Sequence, residues 1–419
     1  MVESRGRAHR SLSAEAALLL ACIDTSRTQE EKDALIANLL RRCMDWSRFS
    51  RMTMTHRLVS LVCRNLGSGP APNGVPFEIF AGLRFCYLSN ALKSDQSAVE
   101  LVELMREFDA AGLPALVLKG PALSLMVYGD VSTRDYFDID ILVRRADAVA
   151  ACELMISAGF RARTYNREAF ESGFFRNTSD EFSSDRINRL IDLHWKTRAW
   201  YFPFGPDEDR LWSRTERVLL KGYRLRTLGA ADHVLFLCAH ASKHGWPDLA
   251  SVADIAGLLR ARPDLDLRTL IEEAARLRLR RIVLLGLSLA HRLAGAALPE
   301  DILGIIRGHR VVCALREQIS AQLLSRLEPP TELRKWMVVL RTLELPRDRL
   351  RLLLSLGLTP TGGDHARLGL PRALYPLYYL MRPLRLTGTA IAMMARRVAG
   401  LDGRPADGSG ETETARTAH

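Results

Sequence analysis

The sequence predicts a mixed α/β fold in which a small sheet with its own helices is embedded between helical regions. Two patterns carry that reading. Apolar residues at helical intervals fill most of the chain before Leu116 and nearly everything after Ala230. Between them, short apolar or alternating runs punctuated by glycine and proline give the order strand–helix–strand–helix–strand, with one more strand behind it.

The N-terminal stretch from Ala14 to about Leu66 predicts two or three short helices, and the Gly/Pro/Ser-rich run Gly67 to Gly74 marks a connection. A long helix is expected from Pro76 to Ala111, stopped by Gly112 and Pro114. Leu116-Val117-Leu118 follows as a short buried strand ended by Lys119-Gly120, and Pro121 suits the first turn of a helix running to Tyr128. After a polar loop, Gly129 to Asp135, the run Phe137 to Val143 alternates as a strand. Asp147 to Ala158 is a helix closed by Gly159, and Phe160 to Tyr165 returns as a strand. Beyond a less regular stretch, Arg189 to Trp195 alternates again. Leu190, Asp192 and His194 face one way; Ile191, Leu193 and Trp195 face the other. Helices are expected over Leu267 to Arg278, Arg281 to Ala296 and Arg310 to Leu327. The expected organisation is an N-terminal helical region over 1–100, a core over 101–229, a C-terminal helical region over 230–400 and a disordered tail over 401–419.

Composition excludes a fibrous or wholly disordered chain: 47% of the 419 residues are hydrophobic and 26% charged. A formal net charge of +11 favours anionic partners such as nucleotides, nucleic acid or acidic membrane surfaces without choosing among them. The basic residues are dense between Glu332 and Arg397, where they outnumber acids about threefold. Seven scattered cysteines with no C-x-x-C pair argue against a disulfide framework or a cysteine-based zinc site, and fit a reducing cytoplasm. Arg5, Arg7 and Arg10 precede an apolar stretch ending Leu19-Leu20-Ala21-Cys22, which superficially resembles a lipoprotein cleavage box. Glu15 interrupts it, and Leu12, Ala16, Leu19 and Ile23 follow helical spacing, so a helix of the folded protein is expected there. No membrane span is expected, because Arg382 and Arg385 break the longest late apolar stretch and His291-Arg292 an earlier one.

The chemistry lies in the strand Phe137-Asp138-Ile139-Asp140-Ile141-Leu142-Val143. Period-two geometry puts Asp138 and Asp140 on one face with Ile139 and Ile141 turned into the core. Two adjacent carboxylates repel unless cations offset the charge, and hard divalent ions with oxygen ligands do this. Asp192, on a second strand, would complete a three-carboxylate site for two ions, one activating an attacking hydroxyl and the other steadying a leaving group. Asp192 could also take the proton of that hydroxyl, with His194 in support on the same face. Lys119 and Arg134 are candidate phosphate binders, as point charge and bidentate fork; solvent-facing charge or a salt bridge to the aspartates is the alternative. On the later helix His240, Lys243 and His244 share a face, by three-and-four spacing. They would line the cleft opposite the carboxylates, with a surface or core-capping role as the alternative. Zinc is disfavoured because the zincin glutamate is missing and no nearby cysteine completes a site. Asp254 reads as a structural anchor or cap.

This assembly resembles the nucleotidyltransferase superfamily, and more narrowly the bacterial family of uncharacterised nucleotidyltransferases. The matching pieces are Leu118-Lys119-Gly120, Tyr128, Arg134, Asp138 to Val143, Asp192-Leu193-His194-Trp195, and His240 to His244. The resemblance is good over about Leu101 to Leu259 and loose in the flanking helices. It implies a polymerase-beta-like fold and metal-dependent transfer of a nucleoside monophosphate from a triphosphate such as ATP. Asp138, Asp140 and Asp192 would hold two magnesium ions, or manganese in their place; Lys119, Gly120, Arg134, His240, Lys243 and His244 would bind nucleotide and phosphate. The superfamily's glycine–serine turn is replaced here by Lys119-Gly120-Pro121, so Lys119 would stand in for the serine contact. The acceptor is expected to be a hydroxyl or phosphate on a protein, peptide or small molecule. The alternatives are an RNA or tRNA acceptor, and a non-catalytic nucleotide-binding or partner-binding protein of the same fold.

Overall fold

Between Ala14 and Leu66 four short helices stand where the periodicity predicts two or three: α1 (Ala14–Ile23), α2 (Gln29–Leu39), α3 (Trp46–Thr55) and α4 (Val59–Leu66). Ser13, Thr28 and Asp45 cap the first three by accepting the backbone N–H groups of Ala16, Glu31 and Arg48. This is a computed structural model, and it describes residues 12–67, 69–174, 177–184, 189–197, 208–325, 327–328 and 331–398. Arg5, Arg7, Arg10 and the expected tail over 401–419 lie outside the described residues. Every residue of α1 is buried, so Leu19-Leu20-Ala21-Cys22 forms part of the core, with Cys22 only 1% exposed.

The long helix α5 (Phe77–Ala110) spans the expected range and carries residue 100 in its interior. The central elements follow as β1 (Ala115–Val117), α6 (Pro121–Tyr128), β2 (Asp138–Val143), α7 (Ala148–Ser157), β3 (Arg161–Ala162), α8 (Arg167–Glu171), β4 (Ser179–Ser183), β5 (Leu190–His194) and α9 (Glu208–Ser213). The five strands form one sheet in the order β1-β2-β5-β4-β3. β2 and β5 are parallel while the other pairs are antiparallel, giving a mixed sheet. A separate hairpin, β6 (Glu216–Leu220) and β7 (Tyr223–Thr227), turns on Lys221-Gly222, both at positive φ.

Two differences from expectation have local causes. The strand expected over Phe160 to Tyr165 shrinks to Arg161–Ala162, because the N–H groups of Thr164 and Tyr165 bond to the Asp180 carboxylate instead of a strand partner. β4, whose turned-in pair is the buried Asp180 and Phe182, occupies part of the irregular stretch.

The helical remainder comprises α10 (Ala230–Lys243), α11 (Leu249–Ala261), α12 (Leu267–Arg276), α13 (Arg280–Ala294), α14 (Glu300–Gly308), α15 (Arg310–Ser325), α16 (Glu332–Thr342), α17 (Pro346–Leu358), α18 (Gly362–Arg367) and α19 (Tyr378–Val398). Residues of α1 to α5 and of α10 to α17 share one hydrophobic core, which also takes Leu123 and Val127 of α6. The two flanking helical regions are therefore packed as one body. A second core lies under the sheet, where Ile139, Ile141, Ile191 and Leu193 meet Leu101, Met105 and Phe108 of α5 and Met155 of α7. Each such fully buried side chain contributes about 1.5–3 kcal/mol relative to exposure. Among the described residues no helix is long and apolar enough to cross a membrane.

Candidate active site

With Ile139, Ile141, Ile191 and Leu193 in the core, β2 and β5 must turn Asp138, Asp140, Asp192 and His194 to the opposite face. The parallel register sets Asp140 beside Asp192 and Leu142 beside His194. At the Leu142 end this face is apolar, packed against Leu116, Leu118 and Phe236 of α10. At the Asp140 end it carries the charges.

His194 joins the two strands. Its Nε2 lies 3.1 Å from Asp140 Oδ1 and 3.1 Å from Asp192 Oδ2. Ligand atoms of Asp140, Asp192 and His194 all lie within 4.8 Å of one another, the spacing of a metal-binding group, and Asp138 is not among them. Asp140 is 2% exposed, and its Oδ2 is ion-paired to Lys119 Nζ at 2.9 Å. Burial works to raise the Asp140 pKa, but Lys119 and His194 outweigh it and hold the carboxyl below the usual carboxylate range. Asp140 is thus a partnered charge, unlike the repelling pair that the sequence alone presents. Asp192 Oδ1 is buried and has no hydrogen-bond partner among the described residues. A buried carboxylate oxygen without a donor is costly unless a cation meets it, so this donor set fits a hard divalent ion.

Lys119 reaches the site because the chain turns sharply after β1. Gly120 sits at φ 63° and ψ −130°, a backbone conformation that disfavours any side chain, and it opens α6 with Pro121 at the first position. From below, buried His233 fixes the turn, its Nε2 lying 2.8 Å from the Leu118 carbonyl and its Nδ1 3.0 Å from that of Leu228. Sequence reading missed His233, although its spacing from His240 and His244 puts it on the same face of α10. For Lys119, burial disfavours the charge, but Asp140 and then Asp138 more than offset it, so the pKa is raised.

From α10, His240 approaches the lysine, its Nε2 3.4 Å from Lys119 Nζ, and its ring packs against that of His244, centroids 4.7 Å apart and planes tilted by 49°. Burial and the neighbouring Lys119 push the His240 pKa well below its ordinary value, so at neutral pH the ring is uncharged and able to accept from Lys119. Lys243 is half-buried; burial lowers its pKa, while Asp192 pulls the other way. The sheet face and α10 thus bring Lys119, Asp140, Asp192, His194, His240 and Lys243 together.

Arg134 lies in the loop before β2, 7% exposed, and its Nε donates to Asp254 Oδ2 at 2.8 Å. Tyr128 Oη lies 3.5 Å from the other Asp254 oxygen. Asp254 is therefore the anchor expected of it, and the Arg134 salt bridge runs to α11 and not to the site aspartates.

Burial disfavours the charged form of His194, yet Asp192 and the hydrogen bond to Asp140 push its pKa up to about 9. In metal-free protein the stabilisation from this raised pKa is complete below the ordinary value of 6.5 and disappears as pH rises through about 9. The melting temperature of wild type in chelator should therefore fall from pH 7 to pH 9.5 more steeply than that of His194→Asn. Parallel curves would show that the histidine carries no proton between the carboxylates.

A family model described as uncharacterised nucleotidyltransferase matches residues 42–295. No curated protein matches the chain in sequence. Among solved structures, the crystal structure of ANT(2")-Ia in complex with adenylyl-2"-tobramycin is similar at 16% identity and a TM-score of 0.31, over 44% of this chain and 97% of that one. A solution structure of the antibiotic-resistance factor ANT(2'')-Ia gives 16% identity and a TM-score of 0.30, over 43% and 93%. An antigenic nucleotidyltransferase-like protein from Paracoccidioides brasiliensis is 14% identical with a TM-score of 0.31, over 50% of this chain and 97% of that one. At these scores the likenesses carry no argument.

Proposed function

The chain belongs to the family of uncharacterised nucleotidyltransferases, and from that premise we propose that it transfers a nucleoside monophosphate from a triphosphate such as ATP to a hydroxyl or phosphate acceptor. The acceptor belongs to a protein, peptide or small molecule, and pyrophosphate leaves. The observation that carries this reading is the in-register pair Asp140 and Asp192, with a buried Asp192 oxygen that lacks a hydrogen-bond donor among the described residues. Asp140 and Asp192, with Asp138 on the same face of β2, would hold two magnesium ions, or manganese in their place. Bound there, such ions supply charge stabilisation to the phosphates and make a bound hydroxyl more acidic.

The side chains divide the remaining work. Lys119 and Lys243 meet the triphosphate as point charges, with Gly120 letting the backbone approach and His240 and His244 lining the opposite wall. Arg134, its Nε held by Asp254, offers its terminal nitrogens to a phosphate oxygen. Asp192 accepts the proton of the attacking hydroxyl, and His194 keeps that carboxylate oriented. Seven cysteines that are all free support a cytoplasmic location.

Incubating the protein with magnesium, each labelled triphosphate in turn and fractionated cell extract tests the reading. Label on a protein, peptide or small-molecule fraction, lost with chelator, is the expected result. Label on RNA alone would replace the acceptor, and no transfer from any triphosphate would contradict the reading. Asp138→Asn should abolish transfer while leaving the melting temperature nearly unchanged, because among the described residues no ion pair ties Asp138 down. Near-normal turnover would remove Asp138 from the site.

A further inference from the structure

On the far side of α6, a pocket of about 70 Å³ lies among α1, α2, α4, α6 and α11. Three cations line it: Lys32, Arg64 and Arg260. Lys32 is 8% exposed, and among the described residues no carboxylate comes within ion-pair distance of its ammonium group. The acid whose charge acts on it, Asp24, is engaged by Ser26 Oγ at 2.6 Å and Arg27 Nε at 3.1 Å. Arg64 makes two long contacts, at 3.3 Å to Thr133 Oγ1 and 3.5 Å to the Tyr128 carbonyl, and neither partner is an acid. Arg260 is exposed at the rim.

An ammonium group on a buried side chain, with no carboxylate at ion-pair distance and two guanidinium groups nearby, is an unfavourable arrangement unless a negative charge joins it. Burial, and then Arg260, already press the Lys32 pKa below its ordinary value. The pocket has room for an anion of a few heavy atoms, and its walls are close-packed helices. At Gly257 of α11 a Cβ would come within 2.3 Å of Val127 Cγ1 on α6, so the two helices meet without a side chain between them at that point.

We propose that this pocket binds a small phosphate-type oxyanion, held by Lys32 in its depth and by Arg64 and Arg260 at its sides. It is separate from the carboxylate site, being lined by the opposite end of α6 and by the N-terminal helices. Its wall includes Tyr128, whose hydroxyl contacts the Asp254 that holds Arg134. The oxyanion could arrive as free phosphate or as pyrophosphate, the two sharing the same chemistry, and separate titrations distinguish them.

Calorimetric titration of inorganic phosphate, and separately of pyrophosphate, into the full chain in chelator tests the site without any turnover. At least one of the two should bind in the millimolar range or tighter. Its affinity should drop at least about tenfold in Lys32→Gln, roughly 1.4 kcal/mol, and severalfold in Arg260→Gln. Lys243→Ala, at the carboxylate site, should leave it within about twofold. Arg260 is exposed, so its variant should keep the wild-type melting temperature even if Lys32→Gln unfolds. The ligand that binds more tightly identifies the source. Absence of binding by either anion, or binding that survives in Arg260→Gln while Lys243→Ala removes it, would overturn the proposal.

Discussion

Replacing Asp140 by asparagine is expected to remove transfer and to destabilise the protein together. The carboxylate is 2% exposed and lies between Lys119 Nζ and His194 Nε2, at 2.9 and 3.1 Å. On transfer, the loss of a metal-binding oxygen should cost at least about a thousandfold, several kcal/mol of charge stabilisation. On stability, Asn leaves the 5% exposed Lys119 without its partner, and stranding one member of a buried pair costs about 3–5 kcal/mol. From sequence alone little loss of stability is expected, because the aspartates then look like repelling neighbours; the Lys119 pair changes that. Turnover and melting temperature measured on one preparation give both numbers. The double change Asp140→Asn with Lys119→Met should recover most of the melting temperature and none of the turnover, since it also removes the stranded charge. A double variant that regains turnover would show that Asp140 serves only to neutralise Lys119.

Asp192→Asn should separate chemistry from binding. Asp192 is more open than Asp140, with its side chain 24% exposed, and its Oδ2 lies 3.1 Å from His194 Nε2. The amide keeps shape and hydrogen bonding but can neither take a proton nor offer a charged oxygen to a cation. Triphosphate binding, supported by Lys119, Lys243 and the other aspartates, should persist. Transfer at saturating triphosphate should fall by at least about a hundredfold, the lower range for losing a positioned general base. A single-turnover assay distinguishes the two effects. Transfer within a few-fold of wild type would make Asp192 a structural strand residue.

Much of this was legible in the residues themselves. Alternation in Asp138 to Ile141 and Ile191 to Trp195 gives strands whose two faces are those observed, because a one-residue slip would turn aspartate into the apolar core and isoleucine out of it. Gly120-Pro121 and Gly129 bracket α6 at its observed ends. What escaped depends on partners far along the chain. The Arg134–Asp254 bond spans 120 positions and the Lys119–His240 contact 121, and no local pattern carries such pairings. β4 escaped because Ser179-Asp180-Glu181-Phe182-Ser183 is mostly polar, its Asp180 being buried only through bonds to Thr164 and Tyr165. The β6–β7 hairpin left a usable sign, the Lys221-Gly222 pair between two five-residue runs. The union of the N-terminal and C-terminal helices in one core is invisible to periodicity, which shows that a face is apolar but not what covers it.

The central claim is that Asp140 and Asp192 hold a divalent ion, and manganese binding tests it without reference to any acceptor. Titrating Mn2+ into the protein with a non-hydrolysable triphosphate, and following free Mn2+ by its paramagnetic resonance signal, measures the ions retained. Wild type should retain manganese beyond what the triphosphate binds alone, and the combined Asp140→Asn and Asp192→Asn variant should lose that excess while remaining folded by circular dichroism. Undiminished manganese retention in the double variant would contradict the account.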